Sequence, residues 1–177
     1  MSAPAAAACQ WREEGGRAAA GERSLAFIAE VGIPVRLRQD SDDFTQPITG
    51  LAICDGSVVI DPETEVWPGD LLHEAGHIAV VEPARRVTLG ALEPDQDEEY
   101  MAIAWSYAAA KICAVGLRQL FHSEGYKGSY EFAATCYATG QFVGADGLAA
   151  HGMTAIDLHS ALAAGVPTYP NMIRWLR

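Results

Sequence analysis

The stretch His73-Glu74-Ala75-Gly76-His77 constrains this chain more than any other. Residues four apart share one face of a helix. Two imidazoles at that spacing can grip one metal ion, and the intervening glutamate can reach a water beside it. The flanks supply helix signals. Trp67-Pro68-Gly69 punctuates the chain, Asp70 reads as an N-cap, and Pro83 bars continuation. Leu71, Leu72, Ala75, Ile78 and Ala79 form an apolar stripe with both histidines at its edge.

Two histidines do not complete a site. Pro83 and Ala84 stand where an H-E-x-x-H-x-x-G-x-x-H chain would carry its third histidine. The next source is the acidic run Asp95-Gln96-Asp97-Glu98-Glu99, which suits the positive end of a helix dipole. From there Met101, Ala104, Trp105, Ala108, Ile112 and Val115 recur at helical spacing, which predicts a central helix to about residue 121. Glu98 or Glu99 from this helix would give a His₂Glu site for Zn2+ with one open position.

A helix, a small sheet with a hairpin, an H-E-x-x-H helix and a glutamate on the following helix together resemble the minimal gluzincin-type zinc metallopeptidases. The likeness is nearest to the compact ImmA/IrrE-like family, over about residues 24–115. A pattern like E-A-N-x-F-A in that family falls on Glu99-Tyr100-Met101-Ala102-Ile103-Ala104, with the glutamate on Glu99. Tyr100-Met101 departs from the small-polar pair. The resemblance implies metal ligands His73, His77 and Glu99, Glu74 as general base, and a peptide or protein substrate. An oxyanion donor would come from His122, Tyr126 or Tyr100. His151 and His159 are further histidines, and Asp95 or Asp97 could orient a ligand imidazole. The alternative is a non-catalytic zinc-binding regulatory or interaction protein on a degenerate peptidase fold.

The remaining chain is read around this centre. Residues 1–21, rich in alanine and glycine, read as a mobile tail, and 22–177 as one domain. Residues 24–31 read as the end of a first helix stopped by Gly32, 33–38 as a half-buried strand, and 50–61 as a hairpin turning at Asp55-Gly56. Short helices are expected at 130–139, 145–151 and 154–164, within a helical extension from about 122. The fold class is α+β, mostly helical, with a small antiparallel sheet packed beside the two site helices. A formal charge of −11 disfavours nucleic acid and anionic membrane surfaces. Four scattered cysteines without a C-x-x-C pair suit reduced thiols in a cytoplasm, with Cys113 and Cys136 as core residues. No apolar run approaches a membrane span. The apolar end 169–177, with Trp175, is expected across the active site or in a homodimer contact.

Overall fold

The structure, a computed structural model, describes residues 3–177 except 43, 45–47, 91–94 and 126–128. Its first departure from the sequence reading lies in the segment expected as a tail. Gln10–Trp11 (β1) pairs in parallel with Glu65–Val66 (β5), and helix α1 spans Arg17–Val31. Trp11 organises this segment. Its Nε1 donates to the Ala6 carbonyl at 2.8 Å, and a Cβ on Gly21 would stand 2.4 Å from its ring. A glycine in α1 thus makes room for the indole, and Cys9, two residues before Trp11, is buried. Alanine and glycine content alone carries no sign of such a contact. Gly32, at φ 91°, caps α1 in the left-handed conformation as expected.

The remaining strands are β2 (Val35–Leu37), β3 (Leu51–Cys54) and β4 (Ser57–Ile60). The β3–β4 hairpin turns at Asp55-Gly56, both with positive φ, as a two-residue turn of matching twist requires. The sheet order is β2-β4-β3, and β2 pairs with β4 in parallel, Val35 opposite Val58 and Leu37 opposite Ile60. The sheet is therefore mixed, not antiparallel throughout. All four residues of β4, the central strand, are buried, which fits its unbroken Val-Val-Ile run.

Helix α2 (Pro68–Val80) follows β5 and is buried at all 13 positions. Pro68 occupies its first position, where a missing N–H leaves no bond unmade. The residue before the helix is Trp67, so Asp70 is not the N-cap that the sequence suggests. It lies inside the first turn, with its side chain engaged elsewhere. A short α3 (Pro83–Arg86) follows, then α4 (Gln96–Ile112), whose N-cap Asp95 accepts from the Glu98 N–H at 2.8 Å. Helix α4 stops at Ile112, short of the expected 121. Ala114 adopts a positive φ, and a separate turn of helix, α5 (Leu117–Leu120), begins after Gly116.

The last third forms α6 (Tyr130–Ala138), α7 (Ala145–Ala150) and α8 (Leu158–Ala164). Thr154, expected to open the last of these helices, forms a bridge with Met172 instead. This third packs on α4. The Tyr169 hydroxyl donates to the Ala104 carbonyl, and Trp105 Nε1 donates to the Trp175 carbonyl, each at 2.8 Å. The Trp175 ring meets Phe27 edge-on at 4.7 Å and Trp105 at 5.4 Å. The chain end therefore docks within its own fold. The end of α2 is capped from two places, with the Arg177 N–H donating to Ala79 O and Arg86 Nε, from α3, donating to Ile78 O, both at 3.0 Å. Among the described residues no helix is long and apolar enough to cross a membrane.

Candidate metal centre

Helices α2 and α4 cross closely because the crossing point carries small residues. A Cβ on Gly76 would come within 2.8 Å of the Ala102 carbonyl oxygen. Ala102 lies one turn after Glu99, and Gly76 directly precedes His77. This contact brings the start of α4 against the histidine face of α2.

The side chains converge there. His73 Nε2 and His77 Nε2 stand 3.1 Å apart. Glu99 places Oε1 at 3.4 Å from His73 Nε2 and Oε2 at 3.5 Å from His77 Nε2. His73, His77 and Glu99 are the group among the described residues that can hold a metal ion. Both imidazoles are buried, whereas the Glu99 side chain is 35% exposed, so the site opens on the carboxylate side.

Burial and the Glu99 carboxylate set the electrostatics of the cluster. Burial, followed by the neighbouring His73, pushes His77 down to about 3 against the pull of Glu99. Burial also opposes charge on His73, but the hydrogen bond and charge of Glu99 overcome it and raise this imidazole. The pair thus shares at most one proton between two nitrogens aimed at one point. Burial raises Glu74 to about 7, against the nearby His73 and with help from Asp70 and Glu99. Two imidazole nitrogens and a carboxylate are the donor set that first-row divalent cations take.

Glu98 faces the other way. Its Oε1 accepts from Arg85 Nη1 at 2.7 Å, leaving Glu99 as the glutamate at the histidines. The oxyanion candidates fare differently. Tyr100 is on an exposed flank, its hydroxyl accepting from Gln96 Nε2 at 2.8 Å. Tyr126 lies outside the described residues. His122 is buried, with Nε2 2.9 Å from Asp70 Oδ1 and its ring stacked on Trp67 at 3.9 Å. His151 caps α7, where its carbonyl accepts from Arg174, and His159 is exposed on α8. Asp95 is occupied as a cap and Asp97 is exposed, so neither orients a ligand imidazole.

The Asp70–His122 pair is the feature that reading the sequence missed. Asp70 carries the usual signature of a cap, and its partner lies 52 residues away, beyond any local pattern. Comparison of the chain with protein families, with curated proteins and with solved structures gave no match. Fold and site together define an α+β protein with two buried histidines and a half-buried glutamate able to hold a metal ion.

Proposed function

We propose that this protein is a zinc-dependent hydrolase of peptide or other amide bonds. The observation that carries the reading is the spacing of the ligand atoms. Zinc–nitrogen bonds of about 2.0–2.1 Å in a tetrahedron set neighbouring ligand atoms about 3.3 Å apart. Here the two imidazole Nε2 atoms are 3.1 Å apart, with one Glu99 oxygen 3.4 Å from His73 Nε2 and the other 3.5 Å from His77 Nε2. His73, His77 and Glu99 would hold the ion, leaving a fourth position for water or substrate.

Zinc held there would acidify water and polarise a scissile carbonyl. Glu74 supplies the proton chemistry. It lies on the turn between the two histidines, and its Oε2 is buried without a hydrogen-bond partner among the described residues. A carboxylate in that place can take a proton from water and return it to a leaving amine within one turnover. The resemblance to compact zinc peptidases argues for the same roles. A second reading, a non-catalytic zinc-binding interaction protein, draws on the enclosure of Glu74, which is 5% exposed.

One experiment separates them. Purified protein is assayed for bound metal and for hydrolysis of a mixed peptide library, alongside Glu74→Gln. Metal retained with hydrolysis lost in the variant supports the hydrolase. Metal in both with no hydrolysis in either selects the binder. Wild-type protein that cannot be loaded with zinc refutes both.

A further inference from the structure

We propose that His122 is a positioning residue that holds the Asp70 carboxylate away from the metal-ligand set, reserving Glu74 as the carboxylate free to act there. The inference rests on the metal-site reading above.

Asp70 precedes His73 by three residues and Glu74 by four on α2, spacings at which side chains are neighbours, about 5–6 Å apart at Cβ. Helical side chains lean toward the N-terminus, so Glu74 leans over the turn that carries Asp70. An unheld carboxylate in this place is a competitor. It is a further oxygen donor for a divalent ion and a rival for any proton or water that Glu74 would handle.

The fold gives Asp70 another partner. An ionised carboxylate only accepts, so the 2.9 Å contact has His122 Nε2 donating to Asp70 Oδ1. Asp70 and His122 are 7% and 4% exposed. The imidazole lies flat on Trp67, with 5° between the rings. Two glycines let the segment after α4 close on this turn. A Cβ on Gly69 would stand 2.5 Å from Gln119 O, and one on Gly125 3.3 Å from His122 Nε2 and 3.5 Å from Asp70 Oδ1. Asp70 is drawn to that segment, and Glu74 Oε2 is left without a protein partner among the described residues.

Cobalt(II) is the probe, because its visible spectrum reports coordination number. Chelator-stripped wild type, His122→Phe, His122→Gln, Asp70→Ala and the double variant His122→Phe/Asp70→Ala are titrated with cobalt, and each is melted. Phenylalanine keeps a ring on Trp67 but removes the donor, whereas glutamine retains a donor. The expected result is a weaker, shifted visible band in His122→Phe as Asp70 joins the ion. His122→Gln and Asp70→Ala should keep the wild-type band, and the double variant should regain it. A wild-type band in His122→Phe, or an altered one in the double variant, overturns the inference and leaves the pair as a packing contact that lowers only the melting temperature. If His122→Phe does not fold, His122→Leu takes its place with the same expected band, and a changed band in Asp70→Ala makes Asp70 a ligand and ends the proposal. Wild type that takes up no cobalt refutes the metal reading itself, whereas uptake with an unaltered His122→Phe band removes only this inference.

Discussion

Gly76 and Ala102 stand at the crossing of α2 and α4, so close that a Cβ on Gly76 would lie 2.8 Å from the Ala102 carbonyl oxygen. The obstacle is backbone, which cannot swing aside as a side chain would. Gly76→Ala gains about 1 kcal/mol of helix propensity but loses about 1–3 kcal/mol to overpacking. A net destabilisation of about 1 kcal/mol is expected by urea denaturation. Weaker zinc binding should accompany it, because Glu99 retreats with α4. Unchanged zinc affinity would show that the crossing does not set the ligand distance.

Adjacent glutamates should separate cleanly. Glu99→Gln is expected to lower zinc affinity by more than about a hundredfold, beyond the 10–100-fold typical of residues that only orient ligands. Glu98→Gln removes only the pair with Arg85, which is 55% exposed, and should change stability by less than about 1 kcal/mol. Competition titration with a chromophoric chelator reads both. Equal losses in the two variants would contradict the assignment.

Acid sensitivity should trace in part to Asp42. Two hydrogen bonds from Arg36, at 2.6 and 2.7 Å, hold its carboxyl at about 2, helped by the Gln39 N–H and opposed by burial. The folded-state value lies below the ordinary 3.8, so the unfolded chain takes up this proton first as pH falls. The stabilisation is present above about pH 4 and is lost as pH drops through about 2. Asp42→Asn should therefore be less stable than wild type at neutral pH, with the gap in urea midpoint narrowing between pH 4 and 2. A constant gap across that range would rule out this linkage.

Trp175 should matter for stability rather than for assembly. It is half-buried against Phe27 and Trp105. Full burial would make its truncation worth about 3–5 kcal/mol, so Trp175→Ala is expected to lose about 2 kcal/mol. Calorimetry and sedimentation check the two halves of the statement. A change in oligomeric state without a fall in melting temperature would restore the end of the chain as an interface.

Local chemistry was legible where neighbours in sequence are neighbours in space. The histidine helix, the Asp55-Gly56 hairpin, the Gly32 stop and the acidic opening of α4 all depend on contacts a few residues apart, and each can be read from spacing. Parallel pairing of β2 with β4 was not legible, because β4 must first fold back on β3 and only then lies between the two. Nor was the structure at the N-terminus. It depends on Trp11 reaching Gly21 and on β1 reaching β5, and low-complexity composition hides both.

For the site, sequence alone determined that His73 and His77 share a face with Glu74 between them, since helical periodicity leaves no other arrangement. It narrowed the candidate third ligand to Glu98 or Glu99, and the expected resemblance to compact peptidases favoured the second. The tertiary structure decided where each points. With α4 packed closely against Gly76, Glu99 meets the imidazoles and Glu98 meets Arg85. It also took Asp70 out of its expected capping role and gave it to His122, a pairing made by the packing of α5 on α2. Residue spacing along one helix is a local property. The distance between two helices depends on the side chains missing at their crossing, and only the folded chain shows where that crossing falls.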